Sequence, residues 1–197
     1  MASAAEIPRY TPAEYLALER KAKFKSEYHK GYITAMAGAS REHNLIGLNL
    51  ASEIRSELKG RPCEVYAGDM RVFIDRTGLY TYPDVVAVCG QRQFQDDVVD
   101  TLLNPTMIAE VLSPTTETYD RGKKFAHYRQ LPSLREYVLI SQDQVLVERY
   151  IRQGDDWVLT EFRNLDDRLR LTSIDCEIPL REIYARVEFP EEKAAGA

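Results

Sequence analysis

The stretch TMIAEVLSP, residues 106–114, decides how the chain folds. Its five apolar residues are interrupted only by Glu110, and Ser113-Pro114 ends the run. A run this short and apolar is typical of a central strand that is covered on both faces. Glu110 would lose its hydration there, and burying an unpaired carboxylate is costly. Either a cation accompanies Glu110, or this residue lies on a partly exposed face.

A second acid occupies a similar position in YTYPDVVAVCG, residues 80–90. Asp84 follows Pro83 directly and precedes an apolar run over residues 85–88. Two carboxylates at neighbouring buried strands would repel each other, and a divalent cation between them removes both the repulsion and the cost of burial. The alternative is that Glu110 pairs with an arginine or a lysine.

A candidate cation lies on the helix that is predicted after this strand. Asp120, Lys124 and Tyr128 follow one another at intervals of four residues, so they share one helical face. Lys123 points about 100° away around the helix. The same spacing is also typical of a solvated face that carries an ordinary ion pair, so the pattern alone leaves both interpretations open.

The rest of the pattern predicts an α/β (α+β) fold, a mixed β-sheet with helices packed on it. Helices are predicted from caps and apolar spacing at 11–22, 40–60, about 118–130 and 179–187. Strands are predicted in a hairpin over 24–36 and at 62–66, 69–75, 80–88, 106–112, 135–140, 144–152 and 157–162. Residues 90–105 are predicted as a surface loop, and the buried face of the 40–60 helix as Leu45, Leu48, Ile54 and Leu58.

Length and composition predict one domain over 1–197, ordered from about 10 to 188, with a flexible tail at 190–197. No apolar run reaches the length of a membrane span, and the first residues lack the layout of a signal peptide, so we expect a cytoplasmic protein with no membrane contact. The net charge of −5 argues against a protein that coats nucleic acid, although an enzyme needs only a local basic surface. Residues 20–25 and the helix after residue 118 could supply one.

The cysteines and histidines indicate no metal centre. Cys63, Cys89 and Cys176 are far apart and form no CxxC pair, so neither a zinc ribbon nor a disulfide framework is predicted. Cys89 follows an apolar strand, which favours a small buried apolar residue. The three histidines lack the spacing of metal ligands.

The order of these residues resembles a known superfamily. Pro83-Asp84, then Glu110 in an apolar strand, then a lysine is similar to the pattern of PD-(D/E)XK nucleases. The segments YPDVVAV, IAEVLSPTT, YDRGKKFAHYRQLPSLREYVLI and EYHKGYITAMAGASREHNLI resemble, more closely, the Uma-type restriction endonuclease family. The resemblance runs from about residue 10 to about residue 188.

This resemblance implies a restriction-endonuclease-like core, a central mixed sheet flanked by helices. It also implies a metal-dependent endonuclease that hydrolyses phosphodiester bonds, with DNA as the expected substrate, Mg²⁺ as cofactor and Mn²⁺ as its substitute. Asp84 and Glu110 would bind the metal, the backbone carbonyl of Val111 would be a further ligand, and Glu27 would stand near the site. Enzymes of this kind often act as homodimers.

One position departs from the superfamily pattern. The lysine expected two residues after Glu110 is replaced by Leu112, so the resemblance implies that Lys124 on the next helix takes its role. Accessory candidates are His43, Asp69, Asp120 and Tyr128. Two other functions stay open: a non-cleaving nucleic-acid-binding or regulatory protein that keeps the nuclease fold, and an interaction module whose acidic cluster is structural.

Overall fold

A computed structural model describes residues 9–190, so the predicted flexible tail lies outside the described residues except for Pro190. The helices are α1 (Pro12–Glu19), α2 (Arg41–Glu57), α3 (Glu117–Tyr119), α4 (Phe125–Tyr128) and α5 (Leu180–Ile183), with a π-helical turn (Asp120–Lys124) joining α3 to α4. The strands are β1 (Ser26–His29), β2 (Tyr32–Ala35), β3 (Cys63–Ala67), β4 (Arg71–Ile74), β5 (Leu79–Thr81), β6 (Val85–Cys89), β7 (Thr101–Leu102), β8 (Met107–Leu112), β9 (Glu136–Ser141), β10 (Val147–Gln153), β11 (Asp156–Phe162), β12 (Arg168–Leu171) and β13 (Cys176–Pro179).

The predicted central mixed sheet is confirmed. It has six strands in the order β11-β10-β9-β8-β6-β3, with β8 and β9 parallel and the other pairs antiparallel. A five-stranded sheet with the order β2-β1-β5-β4-β7 and a separate β12-β13 hairpin complete the β-structure described between residues 9 and 190. The sequence did not predict this division into two sheets.

Strand β8 is the predicted buried strand, and all six of its residues are buried. Because strand side chains alternate, Met107, Ala109 and Val111 pack with α2 on one face of the sheet. Ile108 and Leu112 pack on the opposite face, in a core that the helix over 117–128 and the five-stranded sheet share. Glu110 therefore points toward that second core.

Helix α2 begins where it was predicted, with Ser40 as its N-cap. Its buried stripe differs from the predicted one, because Leu48 is 64% exposed while Ile46 and Leu50 are fully buried. Residues spaced by four from Ile46 continue this stripe through Ile54 to Leu58. The apolar residues of the helix cover more than one face, so spacing alone did not fix which of them meets the sheet.

The strand predicted at 80–88 is two strands in different sheets. β5 belongs to the five-stranded sheet and β6 to the central one, and the chain crosses between them at residues 82–84. Pro83 explains the break, because proline lacks the backbone N–H that a central strand donates. The crossing leaves Asp84 at the junction of the two sheets.

Two further sequence predictions are corrected. Cys63 and Cys89 face each other in the antiparallel β3-β6 pair and form a disulfide, so Cys89 is not an isolated apolar residue. Their 26-residue separation concealed this pairing, because strand neighbours cannot be read from cysteine spacing alone. The predicted loop at 90–105 contains β7, which pairs with β4. No helix within residues 9–190 combines the length and apolarity of a membrane span.

The β12-β13 hairpin, which the sequence analysis missed, is attached to the central sheet through Glu136. This carboxylate is fully buried at the start of β9. It accepts hydrogen bonds from the backbone N–H groups of Thr172 and Ser173 at 3.1 and 3.0 Å, and from both hydroxyl groups. The hairpin turn thus supplies four donors to one buried acid.

We predict that Glu136→Ala lowers the free energy of unfolding by about 2 kcal/mol or more, because buried donors to a charged group lose their partner. Glu177→Ala, at a half-buried side chain, removes only contacts with Arg168 and Arg170 and should cost about 0.5 kcal/mol or less. Urea unfolding measures both values. Amide hydrogen exchange over residues 168–179 should rise in Glu136→Ala alone; equal effects of the two substitutions would contradict the assigned role.

Candidate active site

Asp84 and Glu110 meet at the junction of the two sheets. The register of β6 and β8 pairs Val85 with Ala109, so one further step places Asp84 opposite Glu110. Residues opposite each other in an antiparallel pair project to the same face, with Cβ atoms about 5 Å apart. The register thus brings the two acids together at one end of these strands, where the charge of Asp84 acts to raise the pKa of Glu110.

Lys124 is the cation beside Glu110. Its Nζ lies 2.9 Å from Oε1 of Glu110, 3.4 Å from Oδ1 of Asp120 and 3.7 Å from Oε1 of Glu27. The Lys124 side chain is only 7% exposed, and Glu110 and Asp120 are buried with it. Lys123, the alternative lysine, is exposed to solvent.

Tyr128 completes the surroundings of Glu110. Its hydroxyl donates a hydrogen bond of 2.7 Å to Oε1 of Glu110, the same oxygen that Lys124 contacts. Asp120, Lys124 and Tyr128 therefore share one helical face, although the segment from Asp120 to Lys124 is a π-helical turn rather than the predicted α-helix. Such turns are frequent at functional sites, and nothing in the residue spacing predicted this one.

Asp84 is held by groups other than Lys124. Its Oδ2 accepts a hydrogen bond of 2.7 Å from the backbone N–H of Val111. Nε2 of His43 lies 3.3 Å from the same oxygen. His43 sits in the first turn of α2, where its own N–H is bonded to the Ser40 side chain at the N-cap. The start of α2 is thereby fixed against the start of β6.

Glu27 reaches the cluster from β1. The Thr81 hydroxyl donates to its Oε1, and the Tyr119 hydroxyl donates to its Oε2 at 3.3 Å. Thr81 and Tyr119 were not among the predicted residues, because nothing in their local sequence indicates a contact with Glu27. Asp69 does not join the cluster: its side chain is 91% exposed and forms a surface ion pair with Lys25.

The charges in the cluster depend on one another. Burial raises the pKa of Glu110 to about 8, although the ammonium of Lys124 acts to lower it. Burial alone would lower the pKa of Lys124, but the carboxylates of Glu110, Asp120 and Glu27 outweigh this effect and raise it. Lys124 therefore remains an ammonium, and Glu110 is the acid whose ionisation depends most on its partner.

The pKa of Asp84 shifts in the opposite direction to that of Glu110. Burial would raise its pKa, but the hydrogen bond and charge of His43, together with the Val111 N–H, hold this pKa below its usual range. Conversely, burial would lower the pKa of His43, and Asp84 outweighs that effect and raises it. The site thus contains one firmly ionised carboxylate next to one that burial tends to protonate.

The oxygen donors of the cluster fit Mg²⁺ or Mn²⁺. Within residues 9–190, no group of three His, Cys, Asp or Glu side chains is arranged to hold a metal alone. Mg²⁺ does not need such a group, because proteins usually bind it through one or two carboxylates while it keeps several waters. The contacts described above fall on Oδ2 of Asp84 and Oε1 of Glu110, so the second oxygen of each acid can serve as a ligand.

Comparison with known proteins places the chain in context. The Uma2 family, described as "Putative restriction endonuclease", matches residues 12–181. Two uncharacterized proteins of Synechocystis sp. (strain ATCC 27184 / PCC 6803 / Kazusa) are similar. The protein slr1290 is 37% identical over 94% of this chain and 96% of its own, and sll1609 is 41% identical over 77% and 86%.

A solved structure has the same fold. It is a "putative nuclease belonging to DUF820" from Anabaena variabilis ATCC 29413, with a TM-score of 0.72 and 21% sequence identity. The likeness covers 87% of this chain and 96% of that one. At this identity the likeness shows the fold alone and not the chemistry of the cluster.

We predict that Glu110 makes the stability of the metal-free protein fall as pH rises from about 4.5 to about 8, since its folded pKa lies above its ordinary value of 4.5. In this window the folded state keeps a proton that the unfolded state has lost. Glu110→Gln removes that titration, so the free energy of unfolding of wild type relative to Glu110→Gln should fall by at most about 1.4 kcal/mol per pH unit.

Urea unfolding in EDTA at several pH values across the window measures this difference. Glu57→Gln, on the exposed end of α2, is the matched control. Parallel stability curves for wild type and Glu110→Gln would contradict the prediction, and a large loss of stability in Glu110→Gln at every pH would indicate a structural ion pair instead.

Proposed function

The chain belongs to the Uma2 family, and from that premise we propose that it is a metal-dependent endonuclease that hydrolyses phosphodiester bonds in DNA. The observation that carries this proposal is the convergence of Asp84 and Glu110 at one strand end, with the Lys124 ammonium 2.9 Å from Glu110. Two acids and a lysine in this arrangement suit a reaction in which negative charge develops on a phosphate.

Asp84, Glu110 and the backbone carbonyl of Val111 would hold the cation, Mg²⁺ or in its place Mn²⁺. When bound, such an ion polarises the phosphate and lowers the pKa of the attacking water. The oxygen character of all three ligands favours these hard cations over zinc, which prefers nitrogen and sulfur.

The other residues of the cluster position these groups. Tyr128 and Lys124 fix one oxygen of Glu110, and the Val111 N–H and His43 fix one oxygen of Asp84. Each carboxylate is thereby held in one orientation.

Lys124 would act directly on the substrate. Its ammonium is the charge that can turn toward the phosphate, where it orients the water or stabilises the charge that develops in the transition state. Glu27 and Asp120, at 3.7 and 3.4 Å, keep this ammonium protonated and near the site.

DNA binding has to come from a local surface, because the net charge is −5. Lys123 is exposed on the helix over 117–128, and Arg129 is exposed directly after it. Arg121, on the same helix, is instead paired with Glu117 at 2.7 Å and with Glu148. It contributes to holding the helix on β10 rather than to binding phosphate.

The cellular setting follows from the proposed substrate. We place the activity in the cytoplasm, where DNA is accessible, and without any role for a membrane. One cluster per chain cuts one strand at a time, so two copies acting as a homodimer would cut both.

One observation favours the competing function, a non-cleaving nucleic-acid-binding or regulatory protein. Lys124 already contacts Glu110 at 2.9 Å, so the buried acid has a partner without a divalent cation. The two functions differ in their response to metal and in plasmid cleavage, as the next two predictions specify.

We predict that the wild-type protein cuts supercoiled plasmid DNA with Mg²⁺ or Mn²⁺ and that Asp84→Ala abolishes cutting. Lys124→Gln should lower the rate by about 100-fold or more, the usual effect of losing a group that stabilises transition-state charge. Lys123→Gln is the matched control, because its side chain is exposed one residue away. If Lys124→Gln still cuts DNA and Lys123→Gln does not, the active lysine is Lys123 and the prediction is wrong.

We also predict that Lys124→Met destabilises the metal-free protein by about 3–5 kcal/mol, because it leaves buried carboxylates without their cation. Mg²⁺ should then raise the melting temperature of Lys124→Met more than that of wild type, since the metal no longer competes with the ammonium. Thermal shift titrations with Lys123→Met as control measure this. If Mg²⁺ leaves the melting temperature of wild type and of every variant unchanged, the result would favour the non-cleaving function.

A further inference from the structure

The segment RKAKFK, residues 20–25, joins α1 to β1 and is anchored at both ends. At its start, Arg20 pairs with Asp96 at 2.7 Å and Asp100 at 2.9 Å. At its end, Nζ of Lys25 donates to the backbone oxygen of Gly68 at 2.8 Å and lies 3.1 Å from Asp69. These contacts fix where the middle of the segment stands.

The middle of this segment presents an aromatic ring to solvent. Phe24 is 82% exposed, more than any other large apolar side chain in the described residues. Lys21 and Lys23 are exposed beside it. Single exposed apolar residues are common on proteins. An exposed ring between lysines on an anchored turn is a rarer combination, and it is the one that nucleic-acid-binding surfaces use.

The anchored turn lies at the rim of the candidate active site. The N–H of Gly68, whose carbonyl accepts from Lys25, donates to the backbone oxygen of Asp84 at 2.9 Å. Glu27 follows Phe24 by three residues at the start of β1, roughly 10 Å along an extended chain. Phe24 is therefore within reach of a nucleotide next to the one whose phosphate would enter the site.

The local charges are compatible with a nucleic-acid strand. Arg20, Lys25 and Arg71 together pair with the three acids beside the turn, Asp69, Asp96 and Asp100. Lys21 and Lys23, which are both exposed, are then available for phosphate groups.

We propose that Phe24 is a stacking platform for an unpaired base beside the scissile phosphate, with Lys21 and Lys23 contacting the flanking phosphates. The proposal rests on the proposed nuclease function and names its substrate class: DNA that is single-stranded next to the cut. A ring can stack on a base only if the base offers a free face. Reaching such a face inside a paired duplex requires unstacking, which costs a few kcal/mol per step.

Fluorescence anisotropy with a labelled single-stranded oligonucleotide in EDTA tests this without cleavage. Phe24→Ala should weaken binding by roughly tenfold, the expected loss of one base–aromatic stack. Phe24→Trp should retain binding, while Phe24→Leu should lose it as Phe24→Ala does, because leucine is apolar but cannot stack. Leu48→Ala, at 64% exposure on α2, is the matched control and should bind like wild type.

Several outcomes would overturn the proposal. Phe24→Ala binding as tightly as wild type would do so, as would Phe24→Leu binding as tightly as wild type. The proposal would also fail if Phe24→Ala weakens binding to fully paired duplex and to single-stranded DNA by the same factor. The turn would instead be a membrane contact if the wild type binds anionic lipid vesicles and Phe24→Ala abolishes that binding while leaving DNA binding unchanged. Failure of wild type to bind or cut any DNA would refute the proposed function itself, whereas wild-type cutting with an unaffected Phe24→Ala refutes only the stacking role.

Discussion

The contact between Lys124 and Glu110 is the interaction on which the arrangement of this protein depends. Glu110 lies in a strand whose six residues are all buried, and it would be costly there without a partner. Lys124 reaches it at 2.9 Å because the helix over 117–128 packs directly on that face of the sheet. The same packing buries Leu112 and Tyr128, so the apolar core and the charged cluster form together.

A second constraint places the other acid. Pro83 prevents β5 and β6 from forming one strand, and the chain crosses from one sheet to the other at that point. Asp84 follows the crossing and therefore stands opposite Glu110 at the open end of the central sheet. Glu27, from the other sheet, comes to the same place through Thr81 and Tyr119. The cluster thus forms at the point where the chain crosses from the five-stranded sheet to the central sheet.

The sequence predicted the parts of this arrangement that are local. The apolar run around Glu110 predicted a buried strand, the four-residue spacing placed Lys124 with Asp120 and Tyr128, and Ser40 marked the start of α2. Those signals depend on neighbours within a few residues, which a single sequence contains.

The features it did not predict all depend on distant segments. The disulfide joins residues 26 apart, Thr81 contacts Glu27 across 54 residues, and Glu136 receives four hydrogen bonds from a hairpin more than 30 residues away. Leu48 shows the same limit, because an apolar residue on a helix is buried only if a sheet happens to face it. Lys124 stands between these cases: spacing identified its helical face, but only packing shows that this face covers buried acids rather than solvent. A lysine that accompanies buried acids has no signature of its own in the sequence, since a solvated ion pair needs the same residue at the same spacing.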